Sequence, residues 1–190
     1  MFDDRFGLTA AVYEGWKKMT RRPARKKYIK DADGSLSWKG EYLPPRYKVG
    51  EIVAVAQKYK DMMPYLAASF RKPSPNNMMD KPGYNNKMFV RAELMPTRIR
   101  ITAWRRERLQ EISDEDCLRE GVFLDETAPS CYQPFYTFPG SFIPGHLDHD
   151  TLIGYTTPRE AFANLIQKMS GKRAWDDNPY VDVYEFELEN

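Results

Sequence analysis

Cysteine and histidine are scarce, two of each in 190 residues, and that scarcity removes whole classes of chemistry. Neither Cys117 nor Cys131 is flanked by a second cysteine or a histidine at ligand spacing, which excludes a zinc ribbon or a disulfide-stapled scaffold as the organising principle. Both are read as free thiols. His146 and His149, in His-Leu-Asp-His-Asp, resemble a short metal tract, but they stand in a Pro/Gly-rich stretch with no other clear ligand, and a solvated loop is the plainer reading. No metal and no cofactor is expected. Nothing approaches the run of roughly 18 to 20 apolar residues that a membrane span needs. Asp3 and Asp4 lie where a secretory signal would be basic and then apolar. A cytoplasmic chain with no membrane partner is expected. Low-complexity linkers are also missing, so residues 1–190 are read as a single domain. Nothing in the pattern fixes an oligomeric state.

Apolar residues make up 42% of the chain and are spread along its length, enough for a sizeable core. The net charge is only +2, but it is unevenly placed: residues 109–190 carry most of the acids, and the first 108 residues are strongly basic. Such asymmetry fits a side that faces a polyanion, and equally a fold in which the two halves interleave and neutralise each other.

Gly7-Leu8-Thr9 opens a short helix with Thr9 as its cap, Val12 and Trp16 on its apolar face and Gly15 at its end. An extended basic segment, residues 18–22, stops at Pro23, and turn signals from Ala24 to Pro45 predict a hairpin or ordered loop. Ile52–Ala56 reads as a buried strand, Lys87–Leu94 and Arg98–Trp104 as further strands. Alternation along the last of these sets Arg98 and Arg100 side by side. Ser113 caps a helix that ends at Gly121, and Thr157-Pro158-Arg159-Glu160 starts a longer one with Ala161, Phe162, Leu165, Ile166 and Met169 on its buried stripe. Tyr184, Phe186 and Leu188 alternate with glutamates in a closing strand with one wet face. Two aperiodic stretches, near 61–87 and 122–156, read as insertions.

The densest chemical signal is Trp16 to Lys30, with eight cations and no acid. Arg21, Arg22, Arg25 and Lys26 in this run, with Arg98 and Arg100, are candidate phosphate contacts; Trp16 and Tyr28 could add stacking. A solvated basic surface is the duller account. Gly15-x-Lys17-x-x-x-x-Arg22, directly after a short helix, resembles the Gly-x-Lys-x-x-x-x-Arg motif of ASCH domains, which are similar in fold to the PUA domains of RNA-modifying enzymes. Tyr47-x-Val49-Gly50-Glu51-x-Val53 resembles their strand-opening segment, and Leu109-Gln110-Glu111-Ile112-Ser113 through Glu120-Gly121 resembles their Leu-x-x-Ile-(Ser/Thr)…Glu-Gly segment. Trp175-Asp176-Asp177-Asn178-Pro179-Tyr180 and the closing Tyr-x-Phe strand are similar to the versions encoded in phage and prophage genomes.

The resemblance implies an α+β fold, a PUA-like β-barrel of five to six strands with short flanking helices. It implies RNA or a modified nucleoside or nucleotide as the partner, held in a basic cleft. One branch of the family consists of amidohydrolases that remove acyl groups from N4-acylated cytidines with a lysine, a threonine and a glutamate; the matching positions here are Lys17, Thr20 and Glu120. The chain departs from that branch in its two insertions and in Lys18, where threonine is usual. A carboxylate in the last turn of a helix is disfavoured by roughly 0.3 to 1 kcal/mol unless a cation compensates, so Lys17 is expected beside Glu120 as a catalytic pair or a structural tie. A third reading makes the aromatic residues of 122–156 a surface for a protein partner.

Overall fold

The computed structural model describes residues 2, 4–62, 79–126, 134–139 and 154–189. Parts of the two expected insertions near 61–87 and 122–156, namely residues 63–78, 127–133 and 140–153 with Cys131, His146 and His149, lie outside the described residues.

The fold is mixed α+β, with every strand pair antiparallel. Its centre is a four-stranded sheet in the order β1 (Met19–Pro23), β8 (Tyr180–Glu189), β5 (Arg98–Arg108), β4 (Ile52–Ala54). Two small hairpins accompany it, β2 (Lys26–Lys30) with β3 (Leu36–Tyr42), and β6 (Phe123–Leu124) with β7 (Tyr136–Thr137). Three α-helices, α1 (Leu8–Tyr13), α2 (Asp114–Arg119) and α3 (Pro158–Ser170), and several short 3₁₀ turns complete the described residues. No helix among the described residues is long and apolar enough to cross a membrane. The expected closed barrel is not seen: β1 and β4 are the two edges of the described sheet and do not pair with each other. β8, expected as a closing strand with one wet face, pairs with β1 and β5 on either side, and Val181, Asp182, Val183 and Tyr184 are all buried; only Glu185, Phe186 and Glu187 alternate.

Register and pleat give the sheet two different faces. Met19, Arg21, Val181, Val183, Arg105 and Glu107 face the helices, where Met19 joins Val12, Cys117, Phe162 and Leu165 in one core cluster. Fully burying such side chains is worth roughly 1.5–3 kcal/mol each. The other face carries Thr20, Arg22, Tyr184, Trp104 and, beyond a bulge between Ile101 and Ala103, Ile101 and Ile99.

Several local expectations are corrected. Gly7, in the left-handed region at φ 61, caps α1; Thr9 lies buried inside the helix. β4 is three residues long and half-exposed, because it is an edge strand whose partner β5 starts only at Arg98. Lys87–Leu94 forms two 3₁₀ turns instead of a strand: the Asn86 side chain accepts from the Met88 amide, and the Tyr59 hydroxyl accepts from the Arg91 amide. The caps at Ser113 and Thr157 do form, each side-chain oxygen accepting a backbone N–H three residues on.

Gly121 ends α2 at φ +108, and a Cβ there would lie 3.3 Å from Leu8 Cδ2. Gly121→Ala is therefore expected to destabilise the protein by about 1–3 kcal/mol. Urea denaturation checks this; a midpoint equal to that of the wild type contradicts it.

Candidate functional site

Lys17 follows α1 in the extended stretch that becomes β1, and Glu120 caps the end of α2. The two meet. Lys17 Nζ donates to Glu120 Oε2 at 2.7 Å and also to the Glu120 backbone carbonyl, so its charge answers both the carboxylate and the negative end of the helix. Both residues are buried, at 2% and 4% exposure. Glu120 Oε1 accepts from Arg21 at 3.2 Å.

Arg21, itself buried, is the hub of a larger, partly buried array. Its guanidinium donates to Glu107 at 2.7 Å and to Asp116 at 2.9 Å as well as to Glu120. Arg105 donates to Glu107 and Asp116 from the solvent side and to Glu185 at 2.9 Å, and Arg119 donates to Glu185 at 2.7 Å. β1, β5, β8 and α2 are thus joined by charge-assisted hydrogen bonds in a partly desolvated setting. The basic and acidic parts of the chain interleave here, as they do at Arg100 with Glu189 and Arg106 with Asp182.

Burial pushes the Lys17 pKa below its ordinary 10.5, against the opposing pull of Glu120. Burial raises the Cys117 thiol to about 12, which keeps it protonated and inert.

A cavity of about 30 Å³ touches Lys17, Thr20, Arg21, Arg22 and Glu120 under Phe162 and Leu165. That is the volume of roughly one water molecule. A second recess, of about 290 Å³, opens on the opposite face of the sheet, close to the lower end of the range typical of small-ligand pockets. Thr20, Arg22 and Phe2 line both spaces. The larger one has an apolar floor of Val53, Val55, Ile99 and Ile101, two tyrosines, Tyr47 and Tyr184, and three cations, Arg22, Arg46 and Lys87. No acid is among its described lining residues. Tyr184 is held in place by the Arg46 amide, which donates to its hydroxyl at 2.8 Å, and by the edge of Tyr47 at 5.4 Å. Desolvation is the largest influence on Arg22 and pulls its pKa down, so counter-charge from an anion would be felt strongly there.

Lys17, Thr20, Arg21, Arg22 and Glu120 are thus brought to one locus, with Arg21 enclosed by carboxylates. Arg25 and Lys26 lie apart from it on the exposed β2–β3 hairpin; Arg25 donates to the Pro44 carbonyl at 3.0 Å. Arg98 is exposed, and Arg100 is tied to Glu189. Trp16 packs edge-on against Phe123. Trp175 packs on Phe162, and Asn178, at φ 41, accepts the Gln110 amide at 2.9 Å as a turn residue.

Sequence reading missed Arg46 and Lys87 in the recess, Glu107 as a half-buried partner of Arg21, and Asp182 as a buried acid. Asp182, between two valines in an apolar strand, carried a usable signal, since an acid there demands a cation. Arg46 and Lys87 carried none, because both come from aperiodic segments.

Arg21→Ala leaves three carboxylates around an empty centre. It is expected to cost about 3 kcal/mol, the lower end for breaking a buried pair, because Arg105 still serves two of them; chemical denaturation measures it, and a loss below about 1 kcal/mol contradicts it. The Lys17 pH effect also has a definite sign. Between its lowered folded-state pKa and 10.5 the unfolded chain binds more protons, so the stability due to Lys17 rises with pH across that window. Relative to Lys17→Met, wild-type stability is expected to gain as pH climbs from neutral towards 10.5, and a pH-independent difference contradicts this. Comparison with family models, curated proteins and solved structures found no match for the chain.

Proposed function

We propose that the chain binds an anionic nucleotide, free or as part of RNA, in the recess on the face of the sheet opposite the helices. The observation that carries this reading is the recess itself: Arg22, Arg46 and Lys87 stand around an apolar floor with no acid among the described lining residues. A base fits against Ile99, Ile101 and Tyr47, and a phosphate suits the cationic rim. The motif that resembles ASCH and PUA-like domains supplies Gly15, Lys17 and Arg22; Gly15 at φ +79 ends α1 so that Lys17 and Arg22 reach their places. An ASCH-type relationship is part of the proposal.

A second reading, amide hydrolysis of an N4-acylated cytidine, is favoured by one specific feature. Lys17 and Glu120 are paired at 2.7 Å in a buried pocket that Thr20 and Arg22 share with the recess. A lysine whose pKa is lowered by burial is a stronger candidate for base or nucleophile than a solvated one. The pocket beside it is small, and an acyl carbonyl entering from the recess would pass Phe2, Thr20 and Arg22, which line both spaces.

Titrating a nucleoside monophosphate and the corresponding uncharged nucleoside separates these possibilities from simple surface charge. Arg46→Ala is expected to weaken monophosphate binding about tenfold or more, as the loss of a charge-assisted hydrogen bond does, and to leave nucleoside binding nearly unchanged. Equal affinity of wild type and variant for the monophosphate contradicts the proposal. In parallel, cytidine release from N4-acetylcytidine that disappears in Lys17→Met establishes hydrolysis, and release no faster than in buffer removes it for that substrate.

A further inference from the structure

The face of the sheet that holds the recess does not end there. Four residues along β8 from Tyr184, about 13 Å at strand rise, lies Tyr180, and between them Asp182 is paired with Arg106. The β2–β3 hairpin comes up against this end of the sheet: Tyr42 packs on Tyr180 at 5.6 Å and on Trp38 at 5.3 Å. Cations are inserted at each step. Lys26 lies 4.6 Å from the Trp38 ring centre, Arg106 5.0 Å from Tyr42, and Arg108 4.0 Å from Tyr180.

The result is a surface row of rings and cations in which the outer two rings, Trp38 and Tyr180, are exposed and Tyr42 between them is half-buried. Trp38 is 39% exposed, Tyr180 37% and neighbouring Trp104 37%. Interior packing does not account for it, since all five residues of β2 are exposed and no residue of the hairpin belongs to the described core clusters. Acids nearby are already engaged: Glu41 with Lys27, Asp31 with Lys39, and Asp182 with Arg106. Rings with interleaved positive charge are what a flexible polyanion of flat bases requires, because stacking is indifferent to base identity and the cations follow the phosphates. The segment between the row and the recess contributes a further cation, Arg46, and is held to the sheet by Arg106, which donates to the Leu43 carbonyl at 2.9 Å.

We infer that this row, Trp38, Tyr42 and Tyr180 with Lys26, Arg106 and Arg108, is a stacking platform for single-stranded nucleic acid, running on from the nucleotide held in the recess. The inference extends the reading of the recess as a nucleotide site but has its own observations. A duplex, whose bases are already stacked, gains only the phosphate contacts here.

The test uses the full chain and fluorescein-labelled oligouridylate and oligothymidylate of about twelve nucleotides, within the size range of single-strand sites, with a duplex of the same length and uridine monophosphate alongside. Trp38→Ala and Tyr180→Ala are each expected to weaken binding of the single strands roughly tenfold, whereas Trp38→Phe keeps most of the affinity. Monophosphate binding stays unchanged in all three variants. Binding of both single strands marks the platform as indifferent to the sugar, and binding of one alone names the sugar it takes. The platform is overturned if wild type binds neither single strand, if the duplex binds as tightly, or if the alanine variants match wild type. Failure of uridine monophosphate to bind, with oligonucleotide binding still dependent on Trp38, would remove the recess reading and leave the platform standing. Circular dichroism confirms that the variants fold.

Discussion

The structure depends on the placement of one arginine. Arg21 sits with its side chain 1% exposed among Glu107, Asp116 and Glu120, and Lys17 closes the array by holding Glu120 from the other side. A buried guanidinium is tolerable only if its donors are met, and here they are met by three residues from β5 and α2. The array therefore ties β1 to β5, across β8, and to α2 at the same time. Apolar packing supplies the bulk of the stability, but it is far less particular about geometry than a set of charged groups that each need a partner.

Fixing one face of β1 determines the other. Because successive residues in a strand point to opposite sides, locking Arg21 towards the helices aims Thr20 and Arg22 at the recess. The same alternation on β8 gives Val181 and Val183 to the core and Tyr180, Asp182 and Tyr184 to the face that holds the recess. The division explains how a chain so rich in cations uses them for two purposes. Lys17, Arg21 and Arg105 pair with carboxylates on the helix side; Arg22, Arg46 and Lys87 line the recess, where Lys87 also donates to the Phe2 carbonyl.

Much of this was legible in the sequence where local chemistry is decisive. The caps at Ser113 and Thr157, the hairpin between Ala24 and Pro45 and the meeting of Lys17 with Glu120 follow from short-range rules and one motif. What was not legible depends on tertiary partners. Ile52–Ala56 has the composition of a buried strand, yet strand length is set by the start of β5 at Arg98. Lys87–Leu94 has apolar residues but no neighbour to pair with, so local side-chain bonds decide its turns. Arg21 and Arg22 are adjacent and chemically identical, and only the pleat tells the one enclosed by carboxylates from the one that lines the recess. The role of Arg46 depends on where an aperiodic loop crosses the sheet, and no period announces that.

The central claim is that β1 is structural on one face and ligand-binding on the other. An amide chemical-shift map of the protein titrated with a nucleoside monophosphate tests it most directly. The account predicts saturable shifts at Thr20, Arg22, Arg46 and Tyr47, with Glu107, Asp116 and Glu120 nearly unmoved. Shifts centred on Lys17 and Glu120 with the recess silent, or no saturable shifts at all, would contradict it.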